Sequence, residues 1–241
     1  MKRLLLSTAL AGGLSLLEQA AYATPYSFTS SGSFSSLSGA TALSPGEIEW
    51  GGTFSSHGHY KDDGSTLTAN PLSTNQIGDT PATGDVIGSL SWHNASTSSD
   101  STAATVTADY KLTLTFTQPG PGGANSETFD LTITNTANTA RACFVFFCSN
   151  TGDVDDNGTI SSQSPSFLVD GLLISNFTFS ENGDGSYSNG VWTNAEDGDS
   201  TLTIRANITN GPSSVPEPAS ITLLGLGLLG LGSIRHRARA V

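Results

Sequence analysis

The sequence predicts an all-β body, an antiparallel two-sheet sandwich of jelly-roll or immunoglobulin-like type, preceded by a signal peptide and followed by a single transmembrane helix. Three observations carry the β prediction: short runs alternate apolar and polar residues with period two, Gly, Asn, Asp and Pro punctuate them, and no stretch of the body sustains a 3.6-residue period. Taken in order, residues 24–45 and 61–84 are rich in Ser, Thr, Gly and Asp and read as loops or weak edge strands, and Val86 to Trp92 is the first strong strand. Tyr110 to Thr117 places Leu112, Leu114 and Phe116 on one face, and Thr128 to Thr134 does the same with Phe129, Leu131 and Ile133. Pro119-Gly120-Pro121-Gly122-Gly123 lies between these two runs, which makes them a hairpin with a longer loop. Phe167 to Leu173, Ile174 to Phe179 and Leu202 to Ile208 follow as strands. Alternatively, Val169-Asp170-Gly171 is a turn that pairs Phe167-Leu168-Val169 with Leu172-Leu173-Ile174.

Charge separates the ends from the body. Residues 24–218 hold Lys61, Lys111, Arg141 and Arg205, four cations, against 20 of the 21 acids, a net charge of −16. A field of that sign repels polyanions, which argues against nucleic-acid binding. Ser, Thr, Asn and Gly occupy positions that Lys and Glu fill in most cytoplasmic proteins, and such chains are typically extracellular.

Met1-Lys2-Arg3, the apolar run Leu4 to Leu17, and Ala21-Tyr22-Ala23 have the order of a signal peptide cut after Ala23. A retained anchor would need a longer uninterrupted apolar run. Near the other end, Ala219 to Ile234 carries no charge and is followed by Arg235, Arg237 and Arg239. Its sixteen residues span about 24 Å as a helix, short of the ~30 Å hydrocarbon core, a gap that snorkelling Arg or local thinning can close. The positive-inside rule keeps the Arg cluster in the cytoplasm and leaves the body outside. The divisions are therefore residues 1–23, signal peptide; 24–210, β-sandwich domain; 211–218, linker; 219–234, transmembrane segment; and 235–241, basic cytoplasmic tail.

Between body and span stands Val215-Pro216-Glu217-Pro218-Ala219-Ser220. Two prolines fix φ and refuse helix hydrogen bonds, so this motif stays extended outside the bilayer. Motif, apolar span and Arg cluster in this order resemble the PEP-CTERM sorting signal. The resemblance implies that exosortase, a membrane-embedded cysteine transpeptidase-like enzyme, recognises Val215 to Ser220, after which the product is released or re-anchored at the surface. Over residues 28–208 the body resembles the choice-of-anchor K domain. That resemblance rests on Phe34, Glu49-Trp50-Gly51, Ile87 to Asn94, the hairpin strands with Asn135-Thr136, and Phe167 to Gly171. It implies a β fold and no assigned activity.

Candidate chemistry in the body is sparse. Cys143 and Cys148, in a chain that leaves the cytoplasm, are read as a local disulfide; the apolar Phe144-Val145-Phe146-Phe147 between them argues against a catalytic thiol. Asp153, Asp155, Asn157 and Thr159 alternate like the opening of an EF-hand-like or dockerin-like loop, which makes Ca²⁺ the one cofactor suggested. Ser164 occupies the twelfth position, where a bidentate Glu belongs; Asp170 could supply that carboxylate, and a plain solvated acidic turn remains the opposing reading. His57-Gly58-His59 reads mainly as an exposed loop, and His93 beside Trp92 as structural. Trp50, Trp92 and Trp192 would stack on sugars if they were exposed together, although Trp in a β domain more often packs. Asn94, Asn157, Asn176 and Asn207 each open an N-x-Ser/Thr tripeptide.

These features describe an exported, non-enzymatic surface or extracellular-matrix protein of a Gram-negative bacterium. Its partners are signal peptidase and the export machinery, exosortase, and the membrane through the C-terminal helix. The alternative is a module that binds exopolysaccharide.

Overall fold

The computed structural model describes residues 23–51, 64–95, 105–120, 122–134, 136, 142–144, 147–149 and 155–212. Among the described residues sixteen strands are present: β1 Pro25–Ser38, β2 Thr41–Ser44, β3 Glu47–Trp50, β4 Ser65–Asn70, β5 Gln76–Asp79, β6 Ala82–His93, β7 Thr105–Gln118, β8 Ala124–Thr134, β9 Ala142–Phe144, β10 Phe147–Ser149, β11 Asp156–Ser162, β12 Ser166–Val169, β13 Leu172–Gly183, β14 Gly185–Ser188, β15 Val191–Asn194 and β16 Asp199–Asn210. Two seven-stranded sheets form, ordered β14-β15-β11-β8-β7-β1-β5 and β12-β13-β16-β6-β4-β3-β2, with β9 and β10 as a separate ladder. Every pairing is antiparallel. The expected two-sheet architecture is thus present, with more strands than a jelly roll or an immunoglobulin domain uses.

The long hairpin forms as its alternation dictates. Tyr110 pairs with Phe129 and Leu114 with Asn125, so Leu112, Leu114, Phe116, Phe129, Leu131 and Ile133 share the buried face. For β12 and β13 the turn reading holds: Val169 pairs with Leu172 and Phe167 with Ile174, around Asp170 (φ 49°) and Gly171 (φ 78°). Two successive left-handed residues are what a two-residue hairpin turn requires, and Asp-Gly supplies them at low cost.

The structure corrects the expectation for residues 24–45 and 61–84. Two stretches within them form interior strands: β1 lies between β7 and β5, and β4 between β3 and β6. The weak apolar signal has a packing reason. A Cβ built on inward-facing Gly32 would sit 2.7 Å from the Tyr110 Oη and 2.8 Å from the Ala69 Cβ. The space a large β1 side chain would fill is already taken from β7, so small residues on β1 and β4 complement large ones opposite. The edge-strand part of the expectation fits β2 and β5.

Tyr26, Phe28, Tyr110, Phe116, Phe129, Trp92 and Trp192 are the bulk of the core, joined by Ile48, Leu67, Ile87, Leu90 and the inward residues of β16. The Tyr26 hydroxyl bonds to the Asp85 carboxylate, which ties β1 of one sheet to β6 of the other. Burial pushes the Tyr26 phenol well above its usual range, and Asp85 adds to that shift.

Strand direction gives the sandwich two poles. The start of β1, the β5–β6 connection, the end of β7, the β12–β13 turn and the end of β16 lie at one, the terminal pole. The ends of β3, β6, β8 and β15 and the starts of β4, β7, β11 and β16 lie at the other, the distal pole. Replacing Trp92, fully buried and in contact with rings on both sides, should remove about 3–5 kcal/mol of stability as Trp92→Ala. Thr203→Ala on the outer face of β16 should stay within about 0.5 kcal/mol in the same urea titration.

Candidate functional site

The residues expected to do chemistry divide between the two poles. At the distal pole the three tryptophans form one packed row: Trp50 and Trp92 have ring centroids 6.3 Å apart at 50°, and Trp92 and Trp192 meet edge to face at 5.2 Å and 83°. None exceeds 3% exposure. They arrive there because each is an inward residue close to a strand end, and Gly158 on β11 makes room, its built Cβ lying 3.5 Å from Trp92 Cζ3. Buried and mutually tilted, these rings offer no platform to a sugar.

Two buried asparagines knit the strand ends beneath this row. Asn94 Nδ2 donates to the carbonyls of Asn194 and Ala195, both at 3.2 Å, and its Oδ1 accepts from Ser65 Oγ at 3.3 Å. Asn194 Nδ2 donates to the carbonyls of Trp92 at 2.9 Å and Gly198 at 3.1 Å. Asn94, although it opens a glycosylation tripeptide, is fully buried with its amide fully used. Asn157 and Asn176 are exposed, and Asn207 Oδ1 accepts from Gly84 N at 3.0 Å. Sequence reasoning singled out Asn94 as a glycosylation tripeptide and as the end of the Ile87 to Asn94 run, without a tying role; nothing local distinguishes a buried Asn that ties strands from an exposed one in a turn.

The described members of the acidic set lie just before β11 and on its outer face. Asp153 lies outside the described residues; Asp155 is exposed just before β11, and Asn157 and Thr159 are exposed on its outer face, paired with Thr134 and Thr132 of β8. On an extended strand alternate residues stand about 6.8 Å apart and side by side, so these side chains do not converge on a cation as those of an EF-hand loop do. Among the described residues no group of three or more His, Cys, Asp or Glu is placed to hold a metal.

Asp156, between the expected ligands, faces inward instead and is fully buried. Its Oδ1 accepts from the backbone N–H of Thr136 at 2.5 Å and from the Thr136 hydroxyl at 2.7 Å, while Oδ2 has no partner. Burial raises its pKa, and the two bonds from Thr136 only partly oppose that shift.

Cys143 and Cys148 stand directly opposite each other in the β9–β10 ladder. Opposed residues in an antiparallel pair have Cα atoms about 4.5–5.5 Å apart, inside the range a disulfide spans. His93 Nδ1 lies 2.9 Å from Asp199 Oδ1 on the exposed face of sheet β12 to β2, an arrangement worth little in water. His57 and His59 are outside the described residues.

At the terminal pole, Ala23 is exposed beside β1, whereas Ala21 lies outside the described residues, as does the whole motif Val215, Pro216, Glu217, Pro218, Ala219 and Ser220. Among the described residues no helix is long and apolar enough to cross a membrane, and the expected span 219–234 is outside them. β16 ends at this pole, and in the sequence the motif follows five residues after Asn210. The chain carries a PEP-CTERM protein-sorting motif at residues 214–238. The PEP-CTERM motif implies export, exosortase processing, and a course from membrane anchoring to the cell surface. No curated protein matches the chain.

A pH prediction follows for Asp156. An acid whose folded pKa is raised holds its proton in the native state at pH values where the unfolded chain has lost it. Stability from this group is therefore complete below its ordinary value near 3.8 and falls as pH rises toward the raised folded value. Asp156→Asn keeps an oxygen for Thr136 and removes the buried charge. Its melting temperature should exceed that of the native chain at pH 7, with the difference vanishing toward pH 3.5, in calorimetry across that range.

Proposed function

We propose that this chain is an exosortase-processed, non-enzymatic β-sandwich that serves at the surface or in the extracellular matrix of a Gram-negative bacterium. The observation that carries the reading is the sorting motif at residues 214–238, placed just after the last strand of the domain. In this reading signal peptidase cuts after Ala23, residues 219–234 hold the precursor in the membrane, residues 235–241 remain cytoplasmic, and exosortase acts at Val215 to Ser220. Eight linker residues, 211–218, reach at most about 28 Å, so the terminal pole stays near the membrane and the distal pole points outward.

Burial of Trp50, Trp92 and Trp192 supports a structural over a sugar-stacking role for them, which leaves the exopolysaccharide-binding alternative without the side chains that motivated it. The resemblance of residues 28–208 to the choice-of-anchor K domain fits the same reading, since it implies a β domain without assigned activity. Opposition of Cys143 and Cys148 in one ladder supports the local disulfide, worth roughly 2 kcal/mol for so short a loop.

Mass spectrometry of the protein from its native host tests this directly. The expected mature form lacks everything before Thr24, lacks the tail beyond the Pro216–Ser220 region, and carries a Cys143–Cys148 linked peptide under non-reducing digestion. A host without exosortase should retain the tail; an intact C-terminus in both hosts would make the segment a permanent anchor and sink the sorting reading.

A further inference from the structure

The chain enters and leaves the sandwich beside one residue. Thr80, between β5 and β6 at the terminal pole, is 1% exposed. Its backbone N–H donates to the Thr24 carbonyl at 3.0 Å, its Oγ1 accepts from the Thr24 nitrogen at 2.9 Å, and its hydroxyl donates to Asn210 Oδ1 at 2.9 Å. The roles are fixed by chemistry. Asn210 Oδ1 can only accept, so the single Thr80 hydroxyl proton points to it and the oxygen lone pairs are left for Thr24.

Thr24 is half-buried while Ala23, one residue outward, is exposed. Hydrolysis after Ala23 adds one water across the amide, leaving a carboxylate on Ala23 and an ammonium on Thr24. The nitrogen that donates to Thr80 is the same atom before and after. It changes from a neutral amide with one hydrogen to a cation with three, and a charge-assisted bond to the same oxygen is the stronger one. Acidic groups lie close in the fold: Asp79 is the ladder partner of Pro25 and Asp85 bonds the Tyr26 hydroxyl, while Arg205 is turned to the Gly84 carbonyl at 3.0 Å.

We propose that Thr80 Oγ1, oriented by Asn210, is the docking site for the α-ammonium of Thr24 that signal-peptide removal creates. The inference rests on the processing reading above, in which the cut falls after Ala23. Docking links the first residue of the mature chain to the last residue of β16, the strand that leads into the sorting motif. Removal of the signal peptide thereby fastens the pole from which that motif emerges.

The test uses the full chain after native processing. Intact mass establishes the first residue, and calorimetry compares the protein before and after selective acetylation of its α-amine, which restores the neutral amide of the precursor. Acetylation should lower the melting temperature by roughly 4 °C in the native chain and in Thr80→Ser, and by clearly less in Thr80→Val. A second readout needs no variant. Docking holds the folded-state ammonium pKa above its unfolded value of about 7.7–8.0, so this stabilisation is complete below that range, is lost as pH rises through the folded value, and is missing from the acetylated protein. A melting temperature indifferent to acetylation and to pH above 8, or one lowered equally in Thr80→Val, overturns the dock and leaves the processing reading standing. A first residue other than Thr24 overturns both.

Discussion

Everything in this fold depends on closing two sheets over a shared aromatic layer. The chain has few large aliphatic side chains for its size, and many strand positions that could carry them are Ser, Thr, Ala or Gly. Rings make up the volume. Phe28 and Phe116 meet at 5.2 Å, Tyr110 stacks on Phe129 at 6.0 Å, and the tryptophan row closes the distal end. Ring pairs of this kind add directional attraction to the area they bury, which suits a core assembled from strands whose other residues are small. The cost is visible in the polar atoms carried inside with them: Trp50 Nε1, Trp92 Nε1 and the Tyr110 hydroxyl have no partner, and burial drives the Tyr110 phenol far above its usual range.

The same layer explains which parts of the fold could be read from sequence. The strands β7, β8 and β16 were legible because one face of each carries apolar side chains in alternation, and β6 and β13 were legible as apolar runs although a register shift breaks the alternation of each. The β12–β13 hairpin was legible from Asp170-Gly171. The strands β1 and β4 were hidden, because inward residues such as Gly32 and Ala69 look like loop composition and make sense only once Tyr110 is seen beside them, while Ser30 and Ser65 are buried on hydrogen bonds to the Leu72 N–H and to Asn94. Strand alternation also accounts for the spacing within the described part of the acidic segment. Asp155, Asn157 and Thr159 share a face because they line a strand, and a period of two is common to a strand face and to the ligands of a calcium loop.

The functional part of the chain was legible for the opposite reason. A sorting signal is a linear string read by an enzyme, so residues 214–238 declare themselves without folding. The body adds geometry that no linear motif encodes: both domain ends emerge at one pole, beside Thr80, and the opposite pole is sealed by Asn94, Asn194 and three tryptophans. The sorting motif follows the domain at one end, and the buried tryptophans pack its core at the other.

Burial of the tryptophans is what separates this account from the exopolysaccharide-binding alternative, and their fluorescence tests it most directly. The folded secreted chain should emit at the blue-shifted wavelengths of buried indole, resist acrylamide quenching, and show no change when neutral polysaccharide is added. Emission at the wavelength of water-exposed indole, with quenching that polysaccharide relieves, would place the rings on a binding surface and contradict the account.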